Sequence, residues 1–318
     1  MQHNVGSFGE SCPVCSSARW QRKARYRSHH ALLQDLWRVE CEDCGMGFVS
    51  PMPADQLWND YNQRYFDNAH GGHQASRVAL AFFSALAKLR CDHVVRYFEN
   101  SGMGLPGAIL EIGPGSGAFA AQWLRMKPQT DYWAVESDAS CYDALRALGV
   151  RLAESPASLP EGHSVGLVVM SHVLEHTTRP AEALSSVAER LSPGGVLFVE
   201  VPCRDFEHKP LDEPHVQFFD KAPMRRLLER LAFTDIQLTY HGQRIDTLKP
   251  GHLWERAATV LRHQLLTMGF SAPFSVMEPG LGPITDSFER AVVKPFLAHL
   301  EQPVPSWWLR AVAVKGRD

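Results

Sequence analysis

From residue 107 onward, short apolar runs alternate with longer amphipathic stretches. The apolar runs have the length of buried strands, and the stretches between them show the three- and four-residue spacing of helices. This alternation predicts an α/β fold with a largely parallel sheet and helices on both faces. The predicted strands are residues 108–112, 131–135, 150–153, 165–170, 196–201, 234–240 and 309–314, and the predicted helices are 118–127, 138–148, 180–191 and 222–231.

The rest of the pattern divides the chain into four parts. The N-terminal part lacks apolar periodicity, the next combines an aromatic connector with a long helix over 73–99, and a further segment interrupts the α/β domain before its last strand. A segment of that length is usually a lid or a separate subdomain, and we expect a helical insertion that acts as a substrate lid. The parts are a metal-binding module (1–50), the connector and helix (51–104), the α/β domain (105–240 with 304–318) and the insertion (241–303).

Composition narrows the range of partners. The chain has 318 residues, of which 45% are hydrophobic, and a formal net charge of −3. Such a balanced charge argues against a general attraction to nucleic acid or to an anionic membrane. The first ten residues lack the apolar centre of a signal peptide, and the longest apolar stretch, 78–87, is too short to span a bilayer. We therefore expect a cytoplasmic protein.

Four of the seven cysteines form two Cys-x2-Cys pairs. Cys12 and Cys15 are separated by 25 residues from Cys41 and Cys44. Two such pairs present four thiolates in the arrangement that Zn²⁺ prefers, and because all four ligands come from the protein, the zinc would be structural. An iron–sulfur site and four unrelated core cysteines are the alternatives.

A glycine-rich turn follows the first strand of the α/β domain. Glu111 precedes Gly113, Gly115 and Gly117, and Glu136 follows the second strand. Glycines let the backbone approach a ligand closely, and a carboxylate after the second strand can accept hydrogen bonds from ribose hydroxyls. The glycine spacing also suits NAD. However, Glu111 would repel a pyrophosphate at this turn, whereas it would attract the cationic S-adenosylmethionine (SAM).

Three motifs carry a resemblance to a known family. Residues 109–117 (ILEIGPGSG), 171–176 (SHVLEH) and 191–197 (LSPGGVL) resemble, in the correct order, motifs of the class I SAM-dependent methyltransferases. The paired cysteines, followed by 51–53 (PMP) and by the aromatic residues of 61–66, are similar to a subgroup that modifies sugars and other small metabolites. That subgroup includes zinc-containing sugar C-methyltransferases.

The resemblance implies a Rossmann-like, seven-stranded sheet whose last strand is antiparallel. It also implies that SAM binds across the tips of the first four strands, with Tyr65 closing over it. Relatives carry an acidic residue after the third strand, where this chain has Glu154 and Ser155. The expected cofactor-binding residues are Glu111, Gly113, Gly115, Gly117, Glu136, Ser137, Ser155, Ser171 and Tyr65.

Three histidines are candidates for the general base. His172 leaves the fourth strand at the ligand edge and is the leading candidate, with a role in framing the SAM pocket as the alternative. His215 lies in the loop after the fifth strand and could act as the base or as a substrate anchor, or could pack the turn. His176 is expected to anchor a helix and could also contact substrate. The same loop carries Asp205, His208, Asp212 and Glu213, which leaves a metal site there as a further alternative.

Two other functions compete with methyl transfer to a small molecule. The stretch 19–27 is basic and aromatic, as in RNA methyltransferases with a zinc ribbon, but residues 1–50 hold six Lys/Arg against five Asp/Glu, which is a weak footprint for RNA binding. A SAM-binding scaffold without catalysis is the second competitor. The sequence favours a SAM-dependent methyltransferase with a histidine base and a small-molecule acceptor.

Overall fold

The computed structural model describes residues 11–30, 33–64, 77–247 and 301–316, and in addition Ala257, Leu261 and Gln264. Tyr65 and nearly all of the 241–303 insertion therefore lie outside the described residues. Among the helices that are described, none combines the length and the apolar character that crossing a bilayer requires.

The N-terminal module is built on a small antiparallel sheet. Strands β1 (Trp20–Arg25), β2 (Trp37–Cys41) and β3 (Gly47–Ser50) pair in sequence order. The fourth strand of this sheet, Gln217–Phe218, comes from the α/β domain and pairs with β3. The module therefore shares its sheet with a loop that lies 170 residues further along the chain (217 − 47).

Between the module and the α/β domain, the described residues include two helices. Helix α1 covers Asp55–Asn62, and helix α2 covers Arg77–Asn100. The prediction of a long helix over 73–99 is confirmed for the described residues. The turn at Ser101 and Gly102 ends α2, and Gly102 has a φ of 66°, the left-handed conformation that commonly ends helices.

The α/β domain contains one mixed sheet of eight strands. Their order across the sheet is β11 (Glu301–Gln302), β10 (Phe233–Arg244), β12 (Ser306–Lys315), β8 (Leu191–Pro202), β7 (Val165–Ser171), β4 (Ala108–Ile112), β5 (Asp131–Val135) and β6 (Arg151–Ala153). The strands from β4 to β8 are parallel to one another, and β12 is antiparallel to both β8 and β10. The predicted Rossmann-like sheet with an antiparallel last strand is thus confirmed, and β11 adds a short eighth strand. The elements are β4 (Ala108–Ile112), α3 (Ala118–Met126), β5 (Asp131–Val135), α4 (Tyr142–Ala147), β6 (Arg151–Ala153), β7 (Val165–Ser171), α5 (Pro180–Ala188), β8 (Leu191–Pro202), β9 (Gln217–Phe218), α6 (Lys221–Arg230), β10 (Phe233–Arg244), β11 (Glu301–Gln302) and β12 (Ser306–Lys315).

Several element boundaries differ from the predictions for physical reasons. The turn expected at 192–195 is instead an irregularity inside β8, because Leu191 already pairs with Val165 before the register shifts. Strand β10 continues to Arg244 because β12 pairs with it as far as that residue. The helix predicted over 138–148 is divided, since Asp138 caps a short 3₁₀ turn before α4 begins.

The core shows how the module is attached. Val14 and Phe48 of the module belong to the same buried cluster as Leu110 of β4 and Leu227 of α6. The opposite face of the sheet is covered by α2 and α3, with Trp123 fully buried between them. The carboxyl ends of the parallel strands remain free of these layers and meet at one edge, where ligands bind in folds of this kind.

Candidate active site

The glycine turn between β4 and α3 forms the first wall of the site. Gly113, Gly115 and Gly117 all have positive φ, at 65°, 55° and 78°. A Cβ atom at Gly113 would lie 2.6 Å from the side chain of Val173, and one at Gly117 would lie 2.7 Å from that of Leu148. Only glycine adopts this conformation readily and also lacks the Cβ atom that would collide with these neighbours. The turn therefore presents bare backbone to the edge of the sheet.

Glu136 forms the second wall at the end of β5. Its carboxylate accepts hydrogen bonds from the backbone N–H groups of Gly115 and Asp138, each at 2.8 Å. Burial raises the pKa of Glu136, although these hydrogen bonds oppose the shift. The oxygen that accepts from Gly115 keeps a second lone pair for a ligand hydroxyl, whereas the other oxygen also lies 3.5 Å from the hydroxyl of Ser137. Ser137 is exposed beside it, and its hydroxyl is 3.4 Å from the carbonyl oxygen of Asn62.

Glu111 lies beneath the glycine turn instead of at an exposed strand end. Its side chain is buried, and its carboxylate accepts a hydrogen bond of 2.7 Å from the hydroxyl of Tyr132. Burial raises the pKa of Glu111 to about 7, while Tyr132 and Arg90 act in the opposite direction. A cation bound above the turn would favour the ionised form of this carboxyl.

Two serines complete the cofactor side. Ser155 starts a short turn after β6, where its N–H donates to Ser158 Oγ at 3.0 Å. Ser171 ends β7, and its buried hydroxyl has no hydrogen-bond partner within the part of the chain that the structure describes. Buried hydroxyls are nearly always satisfied, so Ser171 is suited to a ligand group. The bare turn, the Glu136 carboxylate and this hydroxyl together fit SAM.

His172 occupies the rim between the cofactor side and the loop that follows β8. Its φ of 56° turns the side chain back, so that Nδ1 lies 3.2 Å from Glu175 and Nε2 lies 3.3 Å from Glu200. Burial acts to lower the pKa of His172, but the two carboxylates outweigh it and the pKa is raised. Both ring nitrogens therefore favour the protonated imidazolium.

Glu200 is the centre of a charged network that sequence reasoning missed. It is fully buried in β8, where its oxygens accept hydrogen bonds from Arg90 of α2 at 2.7 Å and from Arg310 of β12 at 2.6 Å. Burial acts to raise the pKa of Glu200, yet the two guanidinium groups hold it well below the usual range. The sequence does carry a signal for this network, because Glu200 and Arg310 are charged residues within two otherwise apolar strands.

His215 and Asp205 form a buried pair in the loop between β8 and β9. Nδ1 of His215 lies 2.6 Å from a carboxylate oxygen of Asp205. Burial acts to raise the pKa of Asp205, but His215 and Lys209 outweigh it and the pKa is lowered. An ionised carboxylate holds the proton on Nδ1, so Nε2 of His215 is left as the acceptor.

His176 packs against this pair. Its ring centroid is 4.9 Å from that of His215, and its Nδ1 donates to the carbonyl of Pro214 at 3.2 Å. Burial lowers the pKa of His176 to about 3, so the ring is neutral. One nitrogen or oxygen atom from each of Glu175, His176 and His215 lies within 4.8 Å of the others. The structure thus brings all three candidate histidines to one side of the site.

The four cysteines of the N-terminal module converge on one point. Cys12 and Cys44 place their sulfurs 3.6 Å apart, Cys15 and Cys41 place theirs 3.5 Å apart, and all four lie within 4.8 Å. In a tetrahedral Zn²⁺ site with bonds of about 2.3 Å, the sulfurs are about 3.8 Å apart. The four thiols fit such an ion.

Comparison with protein families identifies the α/β domain. Residues 82–238 match the family described as "Methyltransferase domain". These residues include the glycine turn, Glu136 and the three histidines. Residues 82–238, just under half of the chain, therefore form a methyltransferase domain, and this match supports a SAM-dependent methyltransferase. No curated protein matches the sequence significantly.

Solved structures with a similar chain path include other methyltransferases. A SAM-dependent methyltransferase from Thermotoga maritima, described as a possible histamine N-methyltransferase, has 15% identity and a TM-score of 0.48, covering 81% of this chain and 99% of its own. One from Archaeoglobus fulgidus has 17% identity and a TM-score of 0.47, covering 79% and 98%. The plantazolicin methyltransferase BpumL, bound to S-adenosylhomocysteine (SAH), has 15% identity and a TM-score of 0.47, covering 82% and 96%. The identification rests on the family match.

Proposed function

We propose that this methyltransferase methylates a small-molecule acceptor and that His215 removes the acceptor proton. The observation that carries this proposal is the 2.6 Å contact between His215 Nδ1 and Asp205. A histidine oriented by a carboxylate presents its other nitrogen as a base, as in other enzymes that activate a nucleophile. His176 is fixed by the Pro214 carbonyl and supports the His215 ring.

The surroundings of His172 favour a different role for that residue. Because both of its nitrogens lie near carboxylates, the ring is stabilised in its charged form. A charged imidazolium is a poor base, but it can orient a polar acceptor or neutralise negative charge that develops on it. We therefore propose His172 as an acceptor-binding residue and His215 as the base.

The reaction is an in-line displacement. SAM supplies an activated methyl group on a sulfonium, which is a good leaving group. The glycine turn, Glu136 and Ser171 would hold the cofactor, and the histidine side would align the acceptor with the methyl carbon. Nε2 of His215 would take up the acceptor's proton as the acceptor gains the methyl group and the sulfonium–methyl bond breaks, which would leave SAH as the other product.

We also propose that the N-terminal module holds one structural zinc ion. The convergence of four thiols from two Cys-x2-Cys pairs supports it. The hydrogen bond between Cys12 and Cys44 lowers the pKa of the Cys12 thiol and raises that of Cys44, so a metal that binds both sulfurs must displace the proton between them. With four protein ligands, the ion would have no open position for substrate.

The charges on the module weigh against an RNA acceptor. Arg19 forms an ion pair with Asp43, and Lys23 lies 3.2 Å from Glu40. Arg22 and Arg25 face the ring of Trp37, with their guanidinium carbons 5.1 and 4.3 Å from its centroid. The basic stretch is therefore partly neutralised within the module. The 241–303 insertion remains a proposed lid. Strand β10 extends into this range as far as Arg244, and β11 lies near its end.

Mass spectrometry of a native metabolite extract incubated with SAM and the zinc-loaded protein tests the acceptor class. We expect one small compound to gain a methylene mass, and only in the presence of active protein. A matched reaction with total RNA should stay unlabelled. Methyl label that accumulates in RNA while every small molecule stays unchanged would contradict the proposal.

A further inference from the structure

The loop between β8 and β9, which carries Asp205 and His215, is attached to the N-terminal module by both backbone and side-chain contacts. The module supplies a strand partner, since Gly47 and Phe48 of β3 pair with β9. The N–H of Val49 also donates to the carbonyl of Val216 at 3.1 Å. The residue that follows the histidine is therefore fixed by the module's backbone.

Arg27 makes the densest set of these contacts. Its guanidinium donates to the carboxylate of Asp212 at 2.6 Å and to the carbonyls of Phe206 and Lys209, each at 2.8 Å. Its backbone N–H donates to Asp212 at 2.8 Å, and Asp212 N–H donates back to the Arg27 carbonyl at 2.9 Å. The side chain of Arg27 thus contacts the loop at three points. The planar guanidinium group has donors that diverge toward several acceptors, whereas the single ammonium group of lysine cannot reproduce this geometry.

Two further hydrogen bonds connect these attachment points to His215. The N–H of His215 donates to the carbonyl of Asp212 at 2.9 Å, and its own carbonyl accepts from the hydroxyl of Tyr26 at 3.0 Å. Tyr26 and Asp212 are both buried. Ser28 also contributes, because its hydroxyl donates to the carboxylate of Glu213 at 2.5 Å.

We propose that Arg27 is a positioning residue for methyl transfer, so that the zinc module forms part of the acceptor side of the active site. Arg27 is the second residue after β1, and β1 pairs with β2, which ends at the proposed zinc ligand Cys41. The folded module therefore holds the Asp205–His215 pair in place through the hydrogen bonds of Arg27. This inference rests on the proposed role of His215.

Steady-state kinetics of Arg27→Ala in the full, zinc-loaded chain test this inference. We expect kcat to fall about 10- to 100-fold, the effect of losing charge-assisted hydrogen bonds, while the Kd for SAM stays within about twofold. Arg27→Lys should recover little, since it keeps the charge but not the fork. The matched control is Arg25→Ala at the end of the preceding strand, β1; its side chain contacts only Trp37 among the described contacts, so this variant should keep normal kcat.

Chemical rescue separates positioning from a general loss of structure. The side chain of Arg27 is 41% exposed, so a free guanidinium ion can reach the vacated position in the alanine variant. We expect guanidinium at millimolar concentration to raise kcat of Arg27→Ala several-fold and to leave the Arg25→Ala and wild-type proteins unchanged. A variant that is not rescued, and that loses SAM binding together with kcat, would contradict positioning and leave a purely structural role.

The outcome also distinguishes this inference from the proposed function. Normal kcat in Arg27→Ala together with strongly reduced kcat in His215→Ala would overturn the role of Arg27 and keep the base. If His215→Ala has normal kcat while Arg27→Ala is impaired and rescued, the proposed base is wrong, and Arg27 positions some other group of the loop.

Discussion

The cofactor side and the acceptor side of the active site are constructed differently. The proposed cofactor side consists of the glycine turn, Glu136 and Ser171, which lie between residues 113 and 171 at the ends of adjacent strands. The acceptor side draws on four separate parts of the chain, namely residues 26–28, 61, 172–176 and 200–215. The first depends on one βαβ pattern, whereas the second depends on docking of the N-terminal module. Cofactor binding and catalysis should therefore respond to different substitutions.

His215→Ala gives the largest effect expected of this difference. Losing a general base costs about 10²- to 10⁴-fold in rate, and kcat should fall by that factor while SAM affinity is unchanged. Kinetics and calorimetry on the same preparation measure both quantities. His163→Ala, in the loop before β7 and far from the loop that carries His215, is the control and should retain full turnover. A parallel loss of SAM affinity in His215→Ala would show that the two sides are not separate.

Glu200→Gln tests the part of the structure that both sides share. The change leaves Arg90 and Arg310 without their buried counter-ion, which typically costs about 3–5 kcal/mol in the free energy of unfolding. Chemical denaturation measures it. Glu207→Gln, whose partner Arg204 is partly exposed, should cost less than about 1 kcal/mol. Equal stability of the two variants would mean that the network contributes little.

Glu136→Gln should affect only the cofactor side. It removes the charged acceptor expected to bind the ribose hydroxyls, so SAM should bind about 10- to 100-fold more weakly, with a smaller effect on kcat at saturating SAM. Isothermal calorimetry gives the affinity. Asp143→Asn, on the exposed face of α4, serves as the control. An unchanged affinity in Glu136→Gln would remove Glu136 from the cofactor site.

Gly117→Ala separates crowding from backbone strain in the glycine turn. Its Cβ would lie 2.7 Å from Leu148 and 2.9 Å from Leu145, whereas a Cβ at Gly149 would meet nothing within 4 Å. Both glycines have positive φ, at 78° and 82°. Gly149→Ala therefore reports the backbone strain alone, about 1 kcal/mol, and Gly117→Ala should cost about 1–3 kcal/mol more through crowding. Thermal unfolding of the two variants provides the comparison, and equal losses would contradict the crowding.

The same contrast explains what could be predicted from the sequence. The strand Ala108–Ile112, the glycine turn and the paired cysteines follow from local spacing, and the structure has the strand where the pattern placed it. The pairing of β3 with β9 has no local signature, because the two strands are far apart in the chain. For the same reason, the loop could be recognised as polar, but Asp205 could not be selected as the partner of His215 among four polar residues.

A calorimetric titration of SAM at pH 6 and pH 8 tests the central claim, that a cationic cofactor binds above the buried carboxyl of Glu111. The pKa of Glu111 in the free protein is about 7, and a bound cation favours its ionised form, so affinity should rise as the pH increases through 7. We predict one SAM per chain, bound more tightly at pH 8, and the loss of this pH dependence in Glu111→Gln. No uptake of SAM at either pH, or tighter binding at pH 6, would contradict the account.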